Sequence, residues 1–415
     1  MLLLLKNKLP NKIKHIAIIG GGAAGFFTAI NCKINFPNYK VSIYEKSNKV
    51  LSKVKVSGGG RCNVTNATFS IAELAKNYPR GNKYLKKVFS QLNPKQTIEW
   101  FESRGVPLVT QDDNCIFPQS QSSQSIIDCF LTECKRLDIT ILLKHQLTNI
   151  NPNIEGFSLT FKDAPIINAN KVIVTIGGQP KINGLSFLHN IGHTIKSPVP
   201  SLFTFNMPNE DITKLMGIVV ETAQVKIQST KLVDEGALLI THWGMSGPAI
   251  LKLSAWGARV LAEKEYQFNI QVNWLKQFNY DELRDELLKE IDRHQHKKIG
   301  NQKIVVLPTR LWNFLIGKIN LNLNKKWGEI SKKEFNRLVD VLQNDVYKVE
   351  GKTTFKEEFV TCGGVCLSEV NFNTMESKKF KGLYFAGEVL DVDGITGGFN
   401  FQNAWSTAFV AAKLK

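Results

Sequence analysis

Short β-branched runs bounded by turn residues stand near both ends of the chain. Residues 15–19 read HIAII and residues 41–44 read VSIY. Unbroken apolar runs of this length predict strands buried on both faces of a parallel sheet. Between them Phe26, Phe27, Ala29, Ile30 and Cys32 recur at helical spacing, so the opening reads strand, helix, strand. The strand pattern returns at 171–176 and 383–385, and an apolar helix is predicted over 404–412. From residue 198 to 359 the pattern differs. Alternating Val, Ile and Phe positions predict strands at 201–206, 217–227, 236–240 and 265–272. Helices are predicted over 249–261 and over 281–293, where Leu283, Leu287, Leu288 and Ile291 share a face. Trp312, Leu315, Ile316, Phe335, Leu338 and Leu342 continue a helical region.

The turn after the first strand is Gly20-Gly21-Gly22-Ala23-Ala24-Gly25. Strand, G-x-G-x-x-G and helix in immediate succession predict a dinucleotide cradle. Gly20 makes the tight turn, Gly22 admits a pyrophosphate to the backbone, and Gly25 lets helix and strand pack closely. Ala23 and Ala24 lie in the helix N-terminal turn, where amides and dipole favour an anion. The second strand ends in Glu45, followed by Lys46, 20 residues beyond Gly25. An acid there is placed to accept hydrogen bonds from ribose hydroxyls and to repel a 2′-phosphate.

Two further stretches extend the cradle. Lys53-Val54-Lys55-Val56-Ser57-Gly58-Gly59-Gly60-Arg61-Cys62-Asn63 reads as a backbone-rich loop. Its glycines leave main chain bare where a flat cofactor would lie, and Arg61 and Asn63 offer donors. Near the other end, Phe385-Ala386-Gly387-Glu388 closes a strand and leads to Gly397-Gly398-Phe399-Asn400 before the last helix. These segments, with Thr175, Gly177 and Gly178 after the 171–176 strand, resemble the FAD-binding fold of glutathione-reductase-type flavoproteins. More narrowly, SGGGRCNVTN and FAGEVLDVDGITGGFNFQ resemble the bacterial YhiN/BaiN-type flavoproteins, the aminoacetone-oxidase-like family.

The resemblance implies FAD as cofactor. It implies that Glu45 holds the adenosine ribose and Glu388 the ribitol or pyrophosphate end, and that 58–61 and 397–400 flank the flavin. It also implies a strand beside the adenine near Leu147. The sequence departs from the family at Cys115, where an arginine commonly precedes the Val-Phe-Pro segment, so no arginine anchors substrate there. The expected fold is α/β, a discontinuous Rossmann-like FAD-binding domain (1–197 and 360–415). It would enclose a β-rich insert domain (198–278), a helical insert subdomain (279–345) and a return segment (346–359).

A flavin carries redox chemistry itself, which accounts for the lack of an evident catalytic triad. No second G-x-G-x-x-G follows another strand, so NAD(P)H, if it serves as reductant, is expected to dock transiently. Arg61, Asn400 and His242, which precedes Trp243, are the candidates for catalytic contact. The seven cysteines are expected to be reduced, and no Cys/His set completes a metal site. The apolar start at 2–5 is far too short to span a bilayer, so a cytoplasmic protein without membrane attachment is expected. Fifty-three Lys and Arg against 36 Asp and Glu give a net charge of +17, with lysines scattered along the chain. Three function classes remain open: an oxidoreductase of an unidentified small molecule, by C–N or C–H oxidation or C=C reduction; a flavoprotein that modifies or binds RNA; and a non-catalytic redox sensor or scaffold that holds FAD without turnover.

Overall fold

The computed structural model describes residues 13–354 and 360–415; the apolar start at 2–5 lies outside them. The chain divides into two compact units, Met1–Val199 with Val360–Lys415, and Pro200–Phe359. Among the described residues no helix is long and apolar enough to cross a membrane.

The first unit is built on a seven-stranded sheet. Its strand order is Val370–Asn371, Glu376–Ser377, Leu383–Phe385, Lys171–Val174, His15–Ile19, Lys40–Tyr44 and Thr140–Leu142. The last five are mutually parallel, with Ile18 facing Ile173 on one side and Ile43 on the other. Ile16, Ala17, Ile18, Ile43 and Ile173 are fully buried, as the β-branched runs require of a sheet covered on both faces.

Two helices define the packing beside that sheet. Ala23–Asn35 follows the glycine turn, and Phe399–Ala411 is the last helix. The aromatic Phe27 sits between them, its ring 4.4 Å from that of Trp100 and 5.4 Å from that of Trp405. The last helix begins five residues before the 404–412 expectation. Gly398, at φ +88°, caps it directly, so the glycine pair is the helix start and not a loop ahead of it.

The second unit holds a seven-stranded antiparallel sheet. Its order is Asp345–Glu350, Gln267–Asn273, Val219–Ile227, Val233–Thr241, Gly244–Ser246, Thr204–Asn206 and Lys352–Thr353. The helices Pro248–Glu263, Tyr280–Arg293, Thr309–Lys318 and Lys332–Gln343 belong to the same unit. Leu283, Leu287, Trp312 and Leu338 share one apolar core with Val225, Ile240 and Ile270 of the sheet. The helical region therefore draws its stability from the sheet it covers.

One ion pair ties distant parts of the first unit. Arg80 binds both carboxylate oxygens of Asp393, whose side chain is fully buried. Asp393 lies between the strand Leu383–Phe385 and the helix Phe399–Ala411, so the pair fixes the approach to the last helix. Removing the arginine takes the ion-pair partner from a buried carboxylate, which typically costs about 3–5 kcal/mol. Arg80→Ala is expected to lower urea-unfolding stability by about that amount, and a loss below about 1 kcal/mol would show that the pair is not structural.

Candidate functional site

The glycine turn owes its shape to contacts no side chain could survive. The Gly20 amide donates to the Tyr44 carbonyl at 2.8 Å, and its φ is +114°. A Cβ on Gly20 would lie 2.6 Å from the Thr175 carbonyl oxygen, and one on Gly25 only 1.9 Å from the Gly20 carbonyl oxygen. Thr175 completes the lock by sharing its hydroxyl between the Ile19 and Gly20 carbonyls, each at 3.0 Å. At Gly22, by contrast, a Cβ would meet nothing within 4 Å. Open space therefore lies in front of the first helical turn at Ala23 and Ala24, whose amides have no partner within the helix.

Glu45 stands at the end of the neighbouring strand. Its carboxylate accepts the Gly21 amide at 2.7 Å and the Ser47 amide at 2.9 Å. Two bonds leave acceptor capacity on a carboxylate for ribose hydroxyls. The Glu45 carbonyl takes the His145 amide at 2.8 Å, which brings the start of the strand Gln146–Asn153, and with it buried Leu147, beside the same strand end. Lys46 Nζ lies 3.4 Å from Gln179 Oε1, beyond Gly177 and Gly178.

The second cradle differs from the loop expected over 53–63. Residues from Ser52 form a helix through Val56, which then unwinds: Ser57 is extended, and Gly58, Gly59 and Gly60 have φ of +58°, +68° and +85°. Three left-handed residues in succession strongly favour glycine, and they present bare amides. A Cβ on Gly59 would again meet nothing within 4 Å. Arg61 is held in place by the loop itself. Its Nε donates to the Gly58 carbonyl at 3.2 Å, its Nη1 to Gln121 at 3.3 Å, and its guanidinium stacks 4.2 Å from the centre of the Phe117 ring.

The two long motifs meet in space. Asn66 donates to the Gly397 carbonyl at 3.0 Å across 331 residues, and the Asn63 amide bridges the Thr65 carbonyl and the Gly398 amide at 2.9 and 3.2 Å. Gly398 approaches so closely that a Cβ would lie 2.4 Å from the Thr65 carbonyl oxygen. Tyr78 donates to the Phe399 carbonyl at 2.6 Å. Asn400 spends both ends of its amide on Gly394, at 2.8 and 2.9 Å, so in this geometry it positions the 391–398 turn.

Glu388 lies under Gly178. Its carboxylate pairs with Lys53 at 2.9 Å and accepts the Thr361 amide at 2.9 Å. The Thr361 hydroxyl is buried without a hydrogen-bond partner, and a Cβ on Gly178 would collide with both groups at 2.5 Å. An orphaned hydroxyl, two open glycine faces and a bare helix N-terminus together fit a dinucleotide that brings its own polar groups. Thr361 and Arg80 escaped sequence reasoning. Neither stands in a glycine motif, although Asp393, the partner of Arg80, lies within the FAGEVLDVDGITGGFNFQ stretch.

Other candidates lie elsewhere. All seven cysteines are free. Cys62 is fully buried at φ +62°, and burial pushes its thiol up to about 12, which keeps it protonated and a poor nucleophile. Cys115, where the family arginine would stand, is buried and is pushed up to about 11 by the same cause. His242 belongs to the second unit, exposed on the turn between Val233–Thr241 and Gly244–Ser246, its ring edge-on to Trp243 at 4.4 Å.

Comparison with known proteins assigns the fold. The HI0933-like protein Rossmann domain matches residues 14–414. The chain belongs to this family. It is 25% identical over 409 residues to a 3-dehydro-bile acid delta(4,6)-reductase of Clostridium scindens, covering 97% of this chain and 98% of that protein. It is 28% identical over 415 residues to the ribosomal RNA dihydrouridine synthase of Escherichia coli, covering 95% and 96%. The Haemophilus influenzae protein of that name is 27% identical, with the same coverage. Among solved structures, a 3-ketosteroid delta1-dehydrogenase from Sterolibacterium denitrificans shares the fold at a TM-score of 0.50 and 11% identity, over 96% of this chain and 98% of that one.

The two glycines of this HI0933-like cradle should respond differently to the same change. Gly22→Ala is expected to leave the stability of the cofactor-free protein within about 0.5 kcal/mol of wild type, yet to weaken FAD at least tenfold in a fluorescence titration. Gly25→Ala is expected to destabilise the cofactor-free protein itself by about 1–3 kcal/mol or more, because backbone blocks the added methyl. Equal urea midpoints for the two variants would overturn this division of roles.

Proposed function

We propose that this chain is an FAD-dependent reductase of a carbon–carbon double bond conjugated with a carbonyl group, and that its substrate ring is uracil in ribosomal RNA. The observation carrying this reading is that two relatives named ribosomal RNA dihydrouridine synthase align with 95% of a chain whose net charge is +17. A polyanionic substrate gives that charge a use.

The chemistry unites the relatives' names. In uracil the C5=C6 bond is conjugated with the C4 carbonyl, and the double bonds of a 3-dehydro-delta(4,6) bile acid are conjugated with the 3-oxo group. Saturating either adds a hydride at the carbon remote from the carbonyl and a proton at the next carbon, two electrons and two protons in all. Bound FAD supplies the hydride chemistry, with NAD(P)H as the transient reductant in this reading.

The protein's own residues bind and orient. The Gly20–Gly25 turn and Ala23–Ala24 amides receive the pyrophosphate, Glu45 receives the ribose, and Lys53, Glu388 and Thr361 meet the polar chain beyond it. Arg61, fixed over Phe117, holds a positive charge beside the bare backbone of Gly58 and Gly59. Charge placed where reduction builds up anion stabilises it most when water is excluded.

The bile-acid relative favours a second reading, a small steroid-like enone as substrate. Anaerobic incubation of the FAD-loaded protein with NADPH or NADH separates the two, with ribosomal RNA in one arm and a 3-oxo-4,6-diene bile acid in the other. Dihydrouridine in the digested RNA, found as a mass gain of two hydrogens, is the expected result. Saturation of the bile acid alone would replace the first reading by the second, and no product in either arm would remove both.

Arg61→Ala is expected to retain FAD and to lower its reduction potential, with ~30 mV corresponding to about 1.4 kcal/mol for a two-electron couple. Spectroelectrochemical titration reads the shift. An unchanged potential together with lost FAD would reassign Arg61 to pyrophosphate binding.

A further inference from the structure

The positive charge of the second unit is concentrated. Between Asp292 and Glu329 the chain carries eight lysines and arginines and no acid. Folding pairs the two ends of this stretch antiparallel. The Ile299 amide donates to the Lys325 carbonyl at 2.9 Å, the Trp327 amide to the Lys297 carbonyl at 3.0 Å, and the Gly300 amide to the Leu323 carbonyl at 2.9 Å. Lys298 thereby lies directly opposite Lys326 in a β-bridge. Like charges in direct register are destabilising.

No carboxylate relieves them. Lys297, Lys298 and Lys326 are exposed, and none of their ammonium groups forms an ion pair among the described residues. The ladder beneath them is firmly held. Trp327 is fully buried, and its Nε1 donates to the Gln302 carbonyl at 2.9 Å. Lys325, the neighbour that does pair, binds Glu334 at 2.7 Å and so joins the ladder to the helix Lys332–Gln343. On that helix Lys332, Lys333 and Arg337, with the single acid Asp340, border a groove of about 650 Å³ together with Tyr280, which is 43% exposed. Arg337 Nε there is buried and has no hydrogen-bond partner.

We infer that the Lys297, Lys298 and Lys326 ladder, linked through the Lys325–Glu334 pair to the helix that borders the Tyr280 groove, forms with that groove an RNA-docking surface. Three unpaired ammonium groups on a rigid ladder suit successive phosphates, and an exposed tyrosine bordered by cations suits an unstacked base. The inference rests on the RNA reading above and adds where on the second unit the RNA is gripped. These residues grip substrate and carry no redox group, so they belong to affinity and not to chemistry.

The test uses the FAD-loaded full chain and a fluorescein-labelled RNA stem-loop with a uridine-containing loop. The triple variant Lys297→Gln, Lys298→Gln, Lys326→Gln is compared with Lys83→Gln, Lys86→Gln, Lys87→Gln, which removes equal charge from exposed positions of the first unit. The ladder variant is expected to bind RNA roughly 10–100-fold more weakly, with a log K against log salt slope shallower by about 2–3. Its FAD content and melting temperature should match wild type, and dihydrouridine formation should show a raised KM with unchanged kcat. The first-unit variant should bind within about threefold of wild type, since no phosphate contact is lost.

If the ladder variant keeps wild-type affinity and slope while RNA is still bound and reduced, the docking surface is refuted and the RNA reading survives. An equal loss in both variants would mean bulk charge and not this ladder, and would also refute it. Wild-type protein that neither binds the stem-loop nor makes dihydrouridine would overturn the RNA reading and the surface with it, as would binding confined to anionic lipid vesicles.

Discussion

The site depends on how closely one piece of backbone can approach another. A distance of 1.9 Å from the Gly25 Cβ position to the Gly20 carbonyl oxygen leaves no room for any side chain. That contact sets the angle at which the helix Ala23–Asn35 leaves the sheet, and with it the direction of the helix N-terminus. Thr175 reinforces the same turn from the adjacent strand, so the 171–174 strand and the glycine turn form one object. The open face at Gly22 is the complement of this crowding. Space is withheld where packing needs it and kept where a pyrophosphate fits.

The same economy operates at the C-terminal motif. Gly398 rests on the Thr65 carbonyl, Gly178 clears the Glu388 carboxylate, and Asn400 closes the turn through Gly394. These contacts leave few side chains free to act chemically. The buried polar atoms that are not satisfied internally, such as the Thr361 hydroxyl, then become informative, because an unpaired buried hydroxyl is costly unless something else supplies its partner. The chemistry assigned to this protein accordingly lies in what it holds more than in a nucleophile or base of its own.

Charge illustrates the difference between listing residues and placing them. Along the chain the lysines read as scattered, and the excess of +17 points to no surface in particular. Antiparallel pairing of residues near 298 with residues near 326 brings Lys298 and Lys326 into register from opposite sides of the helix Thr309–Lys318 in the sequence. Glu334 pairs with Lys325, and the Glu329 carboxylate accepts the Lys326 backbone amide at 3.1 Å and not its ammonium group. A local excess arises from topology, not from composition.

The sequence by itself determined the strands at 15–19 and 41–44, the glycine turn between them, the spacing to Glu45 and the discontinuity of the first unit. All of these rest on short-range rules: buried strands need unbroken apolar runs, and left-handed or crowded backbone needs glycine. It singled out the 53–63 stretch but not its conformation, because a helix ending at Val56 and unwinding through Ser57 has no distinct local signature. Only the tertiary structure decided that Asn63 and Asn66 meet Gly398 and Gly397, that Arg80 neutralises Asp393, and that Thr361 lies beside Glu388. The asparagine and arginine contacts join residues more than 300 positions apart, and the Thr361 contact spans 27, each through one or two hydrogen bonds. Such a contact leaves no periodicity in the chain, and its partner is selected by the packing of everything between.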